Sequence, residues 1–198
     1  MLDEIIVSEF LEANGFFVRS MRRTRSQSKR TTKEEGVELY AKNMYFKPGG
    51  REASFLLFPS ELRYVESMIV CIRGWYGDKA ALASMTGSAD MQKYVESNIL
   101  KNVDKWFEVE ETDWVDGEDP KRVLVAPVIP TQDPHRRQIA ALLREKGVYG
   151  ILSYKTMLLD IIDRVDTRKV YPKSELLQLI RVLKTFDLVK DSQMNFLG

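Results

Sequence analysis

Met68-Ile69-Val70-Cys71-Ile72-Arg73-Gly74-Trp75 is the stretch that decides the fold class. The run from Met68 to Ile72 is wholly apolar and short, with no polar residue to mark a wet face. That pattern reads as a buried strand, and Gly74 ends it. On a strand, residues two apart share a face, so Cys71 and Arg73 project together.

Outward from this strand, the chain alternates helical and extended patterns. On the N-terminal side, Val37–Tyr45 has strand character, with Val37, Leu39 and Ala41 facing one way and Glu38, Tyr40 and Lys42 the other. The turn Pro48-Gly49-Gly50 separates it from the apolar run Phe55–Phe58. Leu2, Ile5, Ile6, Phe10 and Ala13 trace one face of a first helix, Gly15 closes it, and Phe16-Phe17-Val18 follows as a short strand. On the C-terminal side, Met91, Tyr94, Val95, Ile99, Val103 and Trp106 predict a helix over 88–106, and Val123–Ile129 a strand. Asp133-Pro134 is a helix start, with an acidic cap followed by proline in the first turn. That helix carries Ile139, Leu142 and Leu143 and ends at Gly147, before a strand at Val148–Leu152. Leu158, Ile161, Ile162 and Val165 mark another helix. Ser174 caps a last one bearing Leu176, Leu179, Ile180 and Leu183, and Leu188-Val189 reads as a short strand or wing. The order predicts an α/β (α+β) fold, a mixed central sheet flanked by helices. Residues 1–155 form its core and 156–198 a C-terminal helical extension packed on it.

The 198 residues are 44% hydrophobic and 30% charged, which excludes global disorder. No stretch approaches the roughly 20 apolar residues of a membrane helix, so no membrane partner is expected. Met1-Leu2-Asp3-Glu4 has no basic region before an apolar run, and Cys71 is the only cysteine, so no intrachain disulfide forms; both point to the cytoplasm. Net charge is +1, but it is uneven. Arg19, Arg22, Arg23, Arg25, Lys29, Arg30 and Lys33 form a basic stretch without an acid. Glu108, Glu110, Glu111, Asp113, Asp116, Glu118 and Asp119 form an acidic one. A local basic arm can bind phosphate backbone even on a neutral protein.

Two segments carry a family resemblance. Gly36-Val37-Glu38-Leu39-Tyr40-Ala41-Lys42-Asn43 is similar to the second strand of the restriction-endonuclease-like (PD-(D/E)XK) nucleases, where an acidic residue stands in a Gly-x-Asp-Leu context. Ile69-Val70-Cys71-Ile72-Arg73-Gly74-Trp75 resembles their third strand, where Asp/Glu-x-Lys is often followed by Gly-Trp. The helix–strand order over residues 1–155 resembles the αβββαβ core of that family. The resemblance implies a catalytic triad at Glu38, Cys71 and Arg73, and the triad is degenerate. Cys71 replaces the second carboxylate and Arg73 replaces the lysine.

The chemistry of these residue types points the same way. A Mg²⁺ nuclease needs hard oxygen ligands from two places to hold the ion and activate water. A thiol is a soft, poor Mg²⁺ ligand. Arginine stabilises negative charge but stays protonated and cannot act as a general base. Glu9, on the first helix, offers a second carboxylate if it reaches the site. The reading is therefore a non-catalytic nuclease-fold protein, with no cofactor, that acts by binding nucleic acid or a protein partner. Two alternatives stay open: an active Mg²⁺-dependent DNase, and an unrelated α/β interaction protein.

Each residue also has a plainer reading. Glu38 is then a half-exposed carboxylate paired with Lys42 or Arg73, Cys71 a small buried hydrophobe, and His135 a surface histidine. Trp75 and Tyr76 are core or rim aromatics. For the basic stretch, Arg22, Arg23, Arg25, Lys29 and Arg30 are the expected nucleic-acid contacts, against a solvated loop. If the three triad positions converge, Cys71→Glu with Arg73→Lys should bind divalent ions more tightly.

Overall fold

The computed structural model describes residues 2–21, 38–49, 51–73, 99–107, 119–126 and 133–189. Its elements are α1 (Leu2–Ala13), β1 (Phe16–Ser20), β2 (Leu39–Asn43), β3 (Ser67–Ile72), α2 (Val103–Trp106), β4 (Lys121–Ala126), α3 (Asp133–Glu145), β5 (Gly150–Ser153), α4 (Tyr154–Arg164) and α5 (Glu175–Thr185). One turn of 3₁₀ helix, Leu62–Tyr64, precedes β3.

The strands form one five-stranded sheet in the order β1-β2-β3-β4-β5. β1 pairs antiparallel with β2, and β2 antiparallel with β3. β3, β4 and β5 run parallel. The expected mixed sheet flanked by helices is what forms. Every residue of β3 is buried, as its apolar run requires.

Alternation along β3 divides the core in two. Met68, Val70 and Ile72 join Val7, Phe10 and Leu11 of α1, Met157 and Ile161 of α4, and Ile180 of α5. Ile69 and Cys71 join Val103 and Trp106 of α2 and Ile139, Ala140 and Leu143 of α3 on the other face. α4 and α5 thus bury their apolar stripes in the same cluster as α1 and the sheet. α1 and α4 are also tied by hydrogen bonds at both ends. Tyr154 donates to Asp3 Oδ1 at 2.6 Å, and Arg164 donates to the Ala13 carbonyl at 2.8 Å. Lys184 of α5 donates to the Ile162 and Val165 carbonyls at the end of α4. A lysine there satisfies orphan carbonyls and complements the negative end of the helix dipole.

Several expected boundaries shift. β2 is shorter than Val37–Tyr45 and β4 begins at Lys121 rather than Val123. The run Phe55–Phe58 makes only one bridge, Leu56 to Ile151. Leu188-Val189 is not a strand. The Leu188 and Val189 amides donate to the Leu183 carbonyl, a helix-ending turn made possible by the positive φ of Asp187. Of the helix expected over 88–106, residues 88–98 lie outside the described set, and within the described part the α-helix is the single turn of α2.

Gly150 opens β5, and a Cβ there would lie 2.8 Å from Cγ and Cδ1 of Leu57. Leu57 is itself buried and cannot swing out. Gly150→Ala is expected to cost about 1–3 kcal/mol by overpacking. Chemical denaturation checks it: Leu57→Ala, itself destabilising, should remove the added cost of Gly150→Ala when combined with it. Additive losses would show that the two sites do not touch.

Candidate functional site

β1, β3, β4 and β5 all point their carboxyl ends toward one edge of the sheet, and β2 starts there. In open sheets with parallel strands, ligands bind outside that edge. Glu38 stands just before β2 and Arg73 just after β3, so both lie on it.

These two residues meet. Arg73 Nη1 donates to Glu38 Oε1 at 2.9 Å and to the Ile72 carbonyl at 2.7 Å. Glu38 Oε2 accepts from the Ile72 amide at 2.5 Å. The bond has a structural reason. Successive amides of an inner strand point to opposite neighbours, and the Arg73 amide goes to Val125 of β4. The Ile72 amide therefore faces β2, whose ladder has ended, and the Glu38 side chain takes over as its acceptor. The backbone of Glu38 still bonds to β3, from its amide to the Val70 carbonyl at 2.9 Å. The two side chains of the ion pair are 18% and 19% exposed, so the pair is partly withdrawn from solvent screening.

Trp106 completes the arrangement. The Arg73 guanidinium lies 4.1 Å from the centroid of its indole ring. A desolvated cation over an indole face is worth roughly 2 kcal/mol and fixes the orientation of the guanidinium. Trp106 reads in the sequence only as an apolar position on a helix face. No linear signal links it to Arg73, because the juxtaposition arises when α2 packs on the sheet.

Cys71 shares the face of Arg73 and the neighbour Trp106, but it is sealed in the core while Arg73 reaches Glu38. Cys71 is fully buried in the cluster with Tyr40, Leu124 and Trp106. The plainer reading holds there: Cys71 occupies a core position. For Glu38, the partner is Arg73.

Glu9 is not gathered into this site. Its charge acts on Glu12, whose carboxyl is held above the usual carboxylate range by partial burial first and the Glu9 charge second. The start of α1 is the end beside the site edge, where Ser20 at the close of β1 donates to Glu4 at 2.6 Å. Glu9 lies beyond it toward the other end, and α1 covers the face opposite Cys71. Among the described residues no group of three or more His, Cys, Asp or Glu side chains could hold a metal. The donor set at the site does not fit Mg²⁺ either. One oxygen of Glu38 serves a backbone amide, the other an arginine, and a guanidinium beside them repels a cation.

The basic stretch is rooted at this site. The Met21 amide donates to the Glu38 carbonyl at 2.8 Å, which joins the residues on either side of segment 22–37. Arg22, Arg23, Arg25, Lys29 and Arg30 belong to that segment, outside the described residues, as do Trp75 and Tyr76. His135 falls within α3. No helix among the described residues is long and apolar enough to cross a membrane.

The chain matches no family model, no curated protein and no solved structure.

Proposed function

We propose that the chain is a nuclease-like core that binds nucleic acid without cleaving it. The observation that carries this reading is the Glu38–Arg73 ion pair at the carboxyl edge of the sheet. A nuclease of the resembled family would present carboxylates for Mg²⁺ at this point; here a neutralised pair fills the position. The strand order, with an antiparallel β1-β2-β3 meander followed by parallel β4 and β5, is in keeping with such a core.

Nucleic acid is favoured as the ligand because Met21 and Glu38, the residues that flank the basic segment 22–37 in the sequence, are bonded to each other beside this pair. Cations of the basic stretch meet phosphate oxygens by charge. Binding through them is electrostatic and indifferent to sequence. Each neutralised phosphate releases condensed counterions, so affinity falls as salt rises, with a log–log slope near −0.9 per phosphate on duplex DNA.

The test is a titration of a fluorescent duplex, at low and near-physiological salt, against wild type and an Arg22→Ala, Arg23→Ala, Arg25→Ala variant. The variant is expected to bind more weakly and to flatten the slope by about two to three units. The same duplex with Mg²⁺ is expected to stay intact. Metal-dependent cleavage lost in Glu38→Ala would restore the DNase reading. Failure of the wild type to bind even at low salt would replace nucleic acid by a protein partner.

A further inference from the structure

The two edges of the sheet are treated differently. At the β5 edge, the Leu57 amide donates to the Ile151 carbonyl at 2.9 Å and the Ile151 amide to the Phe55 carbonyl at 2.8 Å, so segment 55–57 covers that strand. The other edge is β1. The register fixes which of its backbone groups look outward. The Met44 amide donates to the Gly15 carbonyl and the Met21 amide to the Glu38 carbonyl, so positions 15 and 21 turn toward β2. Bonding direction alternates along an antiparallel pair. Phe17 and Arg19 therefore bond to β2, opposite Lys42 and Tyr40, while Phe16, Val18 and Ser20 turn their backbone N–H and C=O groups away from the sheet. Among the described residues no group takes these backbone donors and acceptors.

A row of open backbone groups is a template for another strand, and edges that stay single carry proline, lysine, a bulge or a cover. β1 pairs with β2 in unbroken register over all its residues and contains neither proline nor lysine. Phe16 and Val18 lean on the cluster under α1. Phe17 and Arg19 point to the other face, where Phe17 is 60% exposed and Arg19 Nη2 lies 3.9 Å from Met21 Sδ.

The strand is complementary to itself. Two copies related by a two-fold axis pair antiparallel, and residues that turn outward must meet residues that turn outward. The axis can pass beside Phe17, Val18 or Arg19 and still engage more than one such residue. Beside Arg19 it sets like charges opposite each other, which destabilises the pair. Beside Phe17 it carries Ser20 past the end of the second strand. Beside Val18 it pairs the whole of β1: Phe16 with Ser20 of the second copy, Val18 with Val18, and Phe17 with Arg19. Phe17 and Arg19 then form a pair without backbone bonds, in which side chains approach most closely, about 4.5–5.5 Å between Cβ atoms. That separation lets a guanidinium lie against an aromatic face, and symmetry makes the contact twice. A net charge far from zero keeps copies apart; here it is +1.

We infer that β1 is an interface between two copies of this chain, joined edge to edge and antiparallel about Val18 into one continuous sheet. The inference is independent of the Glu38–Arg73 pair and of the basic stretch. The full chain, freed of nucleic acid, is followed by sedimentation velocity over a concentration series. Wild type should pass from the mass of one chain to that of two as concentration rises. Phe17→Glu, which would break a purely apolar contact, should keep the dimer, because its carboxylate meets Arg19. Adding Arg19→Glu sets acid against acid in both contacts and should weaken the dimer by about tenfold or more. Val18→Pro removes an amide that no strand of the fold uses, and proline is tolerated at an edge, so it should give a folded monomer. Hydrogen exchange reads the register directly: with rising concentration the Phe16, Val18 and Ser20 amides should slow, while those of Phe17 and Arg19, already bonded to β2, should not change. A wild type that stays a single chain at every concentration would overturn the inference and leave the edge to an extended segment of another protein. A dimer untouched by the double change, or lost in Phe17→Glu alone, would place the contact elsewhere and overturn it as well. Thermal melting identifies a Val18→Pro variant that fails to fold, and the two charge variants then decide.

Discussion

Cys71→Glu is expected to be the most damaging single substitution among the site positions. Cys71 has no exposed surface and is packed among Tyr40, Leu124 and Trp106. A glutamate there is larger than the thiol and brings a carboxylate into an apolar cluster. The folded state can keep it only protonated, which raises its pKa above the ordinary value of about 4.3; buried carboxyls shift by up to 3–5 units. At pH 7 the cost is at least about 4 kcal/mol, a large share of the 5–15 kcal/mol that typically stabilises a domain. The sign of the pH dependence follows. The folded state holds this proton more tightly than the unfolded chain, so the variant loses stability as pH rises from the ordinary glutamate range toward its raised folded pKa. The deficit relative to wild type should be smallest in acid and largest at neutral pH. Cys71→Ala is the control and should cost about 1 kcal/mol. Denaturation at several pH values measures both. A Cys71→Glu variant as stable as wild type at pH 7 would mean that position 71 reaches solvent or the ion pair. Its combination with Arg73→Lys would then bind divalent ions as a converging triad should. Burial instead predicts no such gain from a folded protein.

Glu38→Ala carries the next largest effect, about 2–4 kcal/mol. Two losses combine. The Ile72 amide is left without the acceptor that replaced the ended ladder, and an unsatisfied donor costs about 1–3 kcal/mol. Arg73 is left as a partly buried cation, and breaking a buried pair from one side costs up to 3–5 kcal/mol, less here because both side chains keep some exposure. Glu38→Gln should fall between the variant and wild type, since an amide oxygen still accepts from Ile72 while the charge is gone. Replacing both partners, Glu38→Leu with Arg73→Leu, should recover part of the loss, giving a coupling of about 1–3 kcal/mol. At this chain length each kcal/mol moves the thermal midpoint by roughly 2–4 °C, so calorimetry resolves the series. If Glu38→Ala melted with the wild type, the pair would be a loose surface contact, and the argument that it blocks a metal site would fail.

The legibility of this molecule is uneven, for identifiable reasons. The apolar run Met68–Ile72 could only be a strand covered on both faces, and it is. The Ser174 cap was equally legible: its side chain accepts from the Leu177 amide. These are local signals, one from solvent exclusion and one from an orphan donor at a helix start. Leu188-Val189 misled because two β-favouring residues outweigh nothing once the preceding helix needs its last carbonyls satisfied.

The sequence by itself determined the α/β class, the central strand, the shared face of Cys71 and Arg73, and the uneven charge. All follow from periodicity and residue chemistry within a few positions. Only the tertiary structure decided what the site residues do. Facing the same way, with Trp106 near both, did not give Cys71 and Arg73 the same burial or the same partners. α2 and α3 cover the strand at position 71 and enclose the thiol, while one pleat further on the strand has ended and Arg73 reaches Glu38. The partner of Glu38, its bond to the Ile72 amide and the indole beneath Arg73 all come from segments distant in the chain. Burial and pairing are properties of what packs alongside, and no spacing along a single chain encodes them.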